Sequence, residues 1–130
     1  IKENLIDVIV SDHLPEDEES KRLPFAQAAT GAIGIETLLP LALEMYHNES
    51  LPLNKIIETL TINPSKILKI NKGSLKKGAD GDICIFDLEA PWQLNAEKLK
   101  SKSKNTAIED RKLQGKVLMT FLNGELVFNQ

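Results

Sequence analysis

The chain has little with which to cross-link itself, enter a membrane or hold a polyanion. One cysteine, Cys84, stands among 130 residues, so no disulfide framework forms within the chain. It lies in Ile83-Cys84-Ile85-Phe86 and reads as a small buried hydrophobe, which suits a reducing, cytoplasmic setting. No apolar run approaches the roughly 18 residues of a membrane span, and no signal-peptide pattern is visible. Positive charge is not in excess: 16 basic against 19 acidic residues leave a net charge of −3, which excludes a global field for nucleic acid. Lys98, Lys100, Lys102 and Lys104 gather locally, but acidic groups elsewhere offset them. Internal repeats are absent, and so is an initiating methionine. What remains, 42% hydrophobic and 27% charged residues, fits a soluble globular unit with a core.

The most informative stretch is Leu5–Asp12. Leu5, Ile6, Val8, Ile9 and Val10 form an almost unbroken apolar run that stops at Ser11-Asp12-His13. An unalternating β-branched run predicts a strand buried on both faces, as in parallel sheets. Groups that do chemistry sit where such strands end, because the following loops vary while the sheet stays fixed. Asp12 is therefore a candidate active-site carboxylate, with helix capping as the competing explanation. Parallel neighbours need crossovers of a dozen residues or more, and only one such segment follows. A fragment of a larger protein is the expectation.

Leu14–Phe25 reads as a polar loop whose acidic run, Glu16-Asp17-Glu18-Glu19, is answered by Lys21-Arg22. It is either a solvated face or a loop over a site. Small residues follow, with Gly31 and Gly34 three apart, and glycine there lets backbone approach a ligand closely. The spacing of Ile35, Leu38, Leu39, Ala42 and Met45 predicts a helix over 35–46, bent or delayed by Pro40. His47 then sits favourably at its C-terminal end. Ser50 is a candidate N-cap for a helix over 53–60, and Ser65–Ile70 a third helical piece closed by Asn71-Lys72-Gly73. Beyond Gly73 the texture turns to strands: 82–86, then an irregular stretch from Pro91-Trp92, then 116–122 and 125–128 joined by Asn123-Gly124, a type I′ hairpin signal.

In order, these pieces resemble the C-terminal part of a bacterial dihydroorotase of the amidohydrolase superfamily, in the long form with a small β-domain. The residues that carry the likeness are Ser11-Asp12-His13-Leu14-Pro15, Lys21-Arg22-Leu23-Pro24-Phe25 and Gly31-Ala32-Ile33-Gly34-Ile35-Glu36-Thr37-Leu38-Leu39-Pro40-Leu41. Further on come Asn63-Pro64-Ser65-Lys66-Ile67-Leu68, Gly78-Ala79-Asp80-Gly81-Asp82-Ile83, Ser101-Lys102-Ser103-Lys104-Asn105-Thr106 and Leu113-Gln114-Gly115-Lys116-Val117. The resemblance implies an α/β fold: the end of a metal-dependent (β/α)₈ barrel over residues 1–72, its last strand and following helices, and a small composite β-sandwich-type subdomain over 73–130. It also implies reversible closure of N-carbamoyl-L-aspartate to L-dihydroorotate in pyrimidine synthesis. Asp12 would be zinc ligand and general acid/base, with Thr30 and Gly31 facing the substrate. One or two zinc ions belong to the full-length parent, whose other ligands would lie upstream; this piece alone is expected to bind none and to turn over nothing. A complete barrel needs about 250 residues.

Two departures from the family pattern matter. Many dihydroorotases carry a substrate-holding histidine four residues after the aspartate, where this chain has Glu16. Two like charges about 4 Å apart at an effective dielectric near 20 repel by about 4 kcal/mol. Either Lys21 or Arg22 supplies the missing positive charge, or the parent has lost activity. His13 is read as mainly positional, with substrate contact the lesser alternative. The second departure, Thr106-Ala107-Ile108, replaces the family's proline and phenylalanine. The alternatives are a non-catalytic partner of aspartate transcarbamoylase and another cyclic amidohydrolase of allantoinase or hydantoinase type. A homodimer is left open.

Overall fold

A computed structural model describes all residues 1–130. Four helices come first: α1 (Glu18–Lys21), α2 (Leu38–His47), α3 (Leu53–Leu60) and α4 (Ile62–Ile67). Three strands follow, β1 (Ile83–Gln93), β2 (Lys112–Leu122) and β3 (Glu125–Asn129), with a 3₁₀ turn at Ala96–Lys98 between the first two. The class is mixed α/β, and no helix is long and apolar enough to cross a membrane.

The polar loop expected over 14–25 contains α1, a single turn that local chemistry explains. Asp17 accepts the N–H of Glu19 at 2.8 Å, Glu18 and Glu19 occupy the positive end and Lys21 the negative end. Helix α2 starts at Leu38 rather than 35. Pro40 falls in its first turn, where a missing N–H costs no intrahelical bond, so it delays the helix without bending it. Helix α3 has the expected bounds, but Pro52 rather than Ser50 stands at its N-cap. The third helical piece begins earlier than Ser65, because Asn63-Pro64 fits the first turn of α4 and does not precede it.

Leu5–Val10 is the largest departure. It forms no strand and is mostly exposed, Leu5 by 80% and Val10 by 70%. A doubly buried strand needs sheet neighbours on both edges. The run's contacts are instead with the helices: Ile9 donates its N–H to Thr59 O at 3.2 Å, and Asn63 Nδ2 donates to Asp7 O at 2.9 Å.

The strands make one antiparallel sheet in the order β1-β2-β3, where a sandwich-type unit was expected; no second sheet is present. Strand β1 runs through Pro91 and Trp92, where an irregular stretch was expected. The ladder shifts between Asp87 and Pro91, where Asp87 Oδ1 accepts the N–H groups of Glu89 and Ala90. It resumes with Pro91 opposite Gln114 and Trp92 opposite Leu113, and the indole N–H donates to Gly115 O at 3.0 Å. Cys84, expected to be buried, is exposed beside Ile83 and Ile85, because nothing covers that end of the sheet. Partial burial still pushes its thiol pKa up, against a hydrogen bond with Thr120. Asn123 and Gly124 both adopt positive φ, 51° and 83°, as a type I′ turn requires.

The helical core gathers Ala42, Leu51 and Ile56, with Ile1, Ile9, Met45, Tyr46 and Leu60 around them. Leu43, fully buried on α2, points the other way onto the sheet. It fills the space over Gly115, where any Cβ would overlap Leu43 Cδ1. The helical and strand halves therefore share packing rather than merely adjoining.

Candidate active site

Residues 11–14 lie alongside residues 31–34. His13 and Ala32 form a parallel bridge, and Leu14 donates its N–H to Ala32 O at 3.0 Å. The two glycines make this approach feasible. A Cβ on Gly34 would stand 2.6 Å from Ser11 O, and one on Gly31, whose φ is +126°, would stand 2.8 Å from Leu14 O. The Gly-x-x-Gly spacing thus serves the contact between two backbone segments.

Asp12 sits at the end of the apolar run, exposed, with a φ of +43°. That left-handed backbone costs a non-glycine residue on the order of 1 kcal/mol, and aspartate is among the types that tolerate it best. His13 beside it is engaged. Its Nδ1 accepts the N–H of Gly34 at 3.1 Å and of Ile35 at 3.3 Å, which in the neutral ring leaves the proton on Nε2. The ring thereby fixes the start of the segment leading into α2. It also lines a cleft of about 840 Å³ that includes Glu36, Lys98, Lys100 and Ser101.

Glu16 is half-buried and held by its backbone. Its N–H donates to Asn105 Oδ1 at 3.3 Å, and its carbonyl accepts the Ser103 hydroxyl. Neither cation proposed to stand in for the missing histidine is uncommitted. Lys21 Nζ donates to Ala29 O at 2.6 Å and to Gly31 O at 3.0 Å, while Arg22 pairs with Glu18 and Glu19. Thr30 is exposed and Gly31 half-buried, both in the loop that Lys21 holds.

Two residues with no role assigned from sequence join these loops. Asn105 donates Nδ2 to Gly31 O at 3.1 Å and takes the N–H of Ile33 on its own carbonyl at 3.0 Å. With Ser103 it ties the Glu16 and Gly31 segments to the stretch before β2. The Ser-Lys-Ser-Lys-Asn-Thr motif was the available signal for both. Glu36 does the same further along, accepting the N–H groups of Lys100 and Ser101.

As a metal site, these residues are insufficient by themselves. Asp12 offers one carboxylate, His13 Nδ1 is occupied by backbone amides, and no group of three or more His, Cys, Asp or Glu is arranged to hold an ion.

Residues 1–127 match the sequence profile of the amidohydrolase family, and the chain belongs to that family. Individual members narrow the likeness. A dihydroorotase from Ehrlichia chaffeensis is 42% identical over 128 residues, which is 98% of this chain and 29% of that protein. An L-hydantoinase (dihydropyrimidinase) from Arthrobacter aurescens is 29% identical and superposes with a TM-score of 0.90 over 98% of this chain and 30% of its own. A dihydropyrimidinase from Brevibacillus agri NCHU1002, at 21% identity, shares the fold with a TM-score of 0.92 over 98% of this chain and 29% of its own. The chain spans about 30% of the length of the curated relatives it matches.

Proposed function

We propose that this chain is the part of a dihydroorotase that carries its acid–base carboxylate, Asp12, and its substrate-facing loop, Thr30–Gly31. The observation that carries the reading is the side-by-side placement of residues 11–14 and 31–34, two stretches that sequence alone could only list in order. Support also comes from relatives named dihydroorotase at 38–42% identity along essentially the whole chain. On this reading residues 1–72 contribute the last strand and following helices of a (β/α)₈ barrel, and 73–130 a small β-domain beside it. Zinc belongs to the proposal as the family's metal, with Asp12 one ligand and the others outside residues 1–130.

The chemistry asked of Asp12 is a proton relay. In the hydrolytic direction water adds to the ring amide carbon of dihydroorotate and gives its proton to the Asp12 carboxylate. As the C–N bond breaks, Asp12 returns that proton to the departing nitrogen, leaving N-carbamoyl-L-aspartate. Ring closure runs the same steps in reverse. A carboxylate suits both directions because it is a base at neutral pH and an acid once protonated.

A second reading has one observation in its favour. Glu16 stands where the family places a substrate-holding histidine, and neither nearby cation takes its place directly: Arg22 pairs with Glu18 and Glu19, and Lys21 donates to the Ala29 and Gly31 carbonyls. That fits a dihydroorotase-like protein without activity that serves as a structural partner, aspartate transcarbamoylase being the candidate. Assay of the complete gene product with dihydroorotate, N-carbamoyl-L-aspartate, hydantoin and allantoin separates the readings. Turnover of the first two is expected, with Asp12→Asn lowering kcat about 10²- to 10⁴-fold. A folded wild-type protein that turns over none of them overturns the enzyme reading, and turnover of hydantoin or allantoin alone moves it to a relative.

A further inference from the structure

The contact between α1 and the loop at 29–31 has a form that the proton relay does not use. Ala29 donates its N–H to Ser20 O at 3.1 Å and receives the Lys21 ammonium on its own carbonyl at 2.6 Å. The same ammonium donates to Gly31 O at 3.0 Å, and Asn105 Nδ2 reaches that oxygen at 3.1 Å. Thr30 thus stands between two residues whose carbonyls are both held by one cation.

A trans peptide sets its N–H opposite its C=O. The N–H of Thr30, on the peptide whose carbonyl Lys21 takes, is therefore turned away from the ammonium toward the other edge of the loop. A cation on the carbonyl also polarises that peptide and makes its N–H a stronger donor. Lys21 has no carboxylate partner although Glu16, Asp17, Glu18 and Glu19 are close in sequence; Glu18 and Glu19 pair with Arg22 instead. A half-buried ammonium answered only by neutral oxygens gives up hydration without gaining a counter-charge. Its positive charge is left facing the loop rather than cancelled.

We infer that Lys21 is a positioning and specificity-determining residue: it locks the Ala29–Gly31 carbonyls so that the free edge of the loop, backed by an uncancelled positive charge, receives an anionic substrate. The identity of that substrate rests on the dihydroorotase reading. N-carbamoyl-L-aspartate carries two carboxylates and dihydroorotate one, so the more highly charged compound depends more on Lys21.

The test is steady-state kinetics of the complete gene product with Lys21→Met and Lys21→Arg, against both compounds, with a thermal midpoint measured for each variant. Lys21→Met is expected to raise KM for N-carbamoyl-L-aspartate about 10- to 100-fold with kcat changed far less, and to raise KM for dihydroorotate by a smaller factor. Lys21→Arg is expected to recover most of the loss. Equal kcat/KM in wild type and Lys21→Met, or equal losses for both compounds tracking a lowered midpoint, overturns the inference while leaving the enzyme reading intact. If Lys21→Met does not fold, Lys21→Gln, which keeps a donor without the charge, is read in the same way. If the wild type turns over neither compound, the functional reading fails, and amide exchange decides the role of Lys21. Exchange at residues 29–32 more than about tenfold faster in Lys21→Met supports the lock, and unchanged exchange overturns it.

Discussion

The carboxylate of Glu36 accepts the backbone N–H of Lys100 with both oxygens, at 2.8 and 3.1 Å, across 64 residues of sequence. One oxygen also takes the N–H of Ser101 at 3.2 Å. Bonds from amides to a charged acceptor contribute about 1.5–3 kcal/mol when formed. Glu36→Ala in the complete gene product is expected to lower the unfolding free energy, measured by chemical denaturation, by an amount in that range. Glu36→Gln, which keeps one acceptor, is expected to lose less. Equal stability of Glu36→Ala and wild type would contradict the tie.

Lys72 bridges Asp80 at 2.7 Å and Asp82 at 2.5 Å, fastening the end of the helical half to the start of β1. The Asn123 N–H, and after it Lys72, lower the pKa of Asp82, while Asp80 and then Asp82 raise that of Lys72. A lowered carboxylate pKa gives stability that is present above the unfolded value near 4 and is lost as pH falls through the folded one. A raised lysine pKa gives stability that is full below about 10.4 and is lost as pH rises through the folded value. Urea midpoints of wild type and Asp82→Asn should therefore differ at neutral pH and converge in acid. Lys72→Met should converge with wild type in strong base, and added salt should shrink both differences because the groups are solvated.

Gly115 carries a φ of +95° and lies where a Cβ would overlap Leu43 Cδ1. Gly115→Ala is expected to destabilise by about 1–3 kcal/mol through overpacking, with backbone strain added. Leu43→Ala empties a fully buried position and is expected to cost about 2–5 kcal/mol. In the double variant the new methyl enters the vacated space, so the losses should sum to less than their separate values. Strict additivity in chemical denaturation would show that the two residues are not coupled.

A polypeptide of these 130 residues alone exposes Phe25 fully, Leu5 by 80% and Leu75 by 83%, and leaves Leu122, Leu126 and Val127 of the sheet bare as well. Exposed large apolar side chains in such number favour association. Light scattering is expected to find it self-associated at micromolar concentration, with dye-accessible hydrophobic surface. A monodisperse monomer would speak against the exposed face.

What the sequence made legible was local. Leu53–Leu60 and the Asn123-Gly124 hairpin could be read because each is decided within a few residues, by apolar spacing or by the φ a turn demands. Helix α1 was hidden by its charge, although Asp17 ahead of two glutamates is a cap signal. Leu5–Val10 forms no strand in this chain because a β pattern names a preference for burial, whereas a strand also needs partners on either side. The site contacts were invisible for a different reason. Glu16 meets Ser103 and Asn105 across nearly ninety residues, and no periodicity encodes which polar groups will face each other at that distance. Family likeness pointed to the motif without saying what it does.

The left-handed backbone at Asp12 limits which residues the position can hold, independently of any carboxyl chemistry. Glutamate offers the same ionisable group, but its longer side chain lacks the short-range hydrogen bonding that lets aspartate and asparagine settle at a φ of +43°. The cheapest drift open to this position is therefore toward asparagine, which keeps the turn and discards the titratable group. If Asp12 is the proposed proton carrier, a lineage released from selection on proton transfer is expected to carry asparagine or glycine there while its fold persists, so the residue at this turn in related genomes would mark retained or abandoned chemistry.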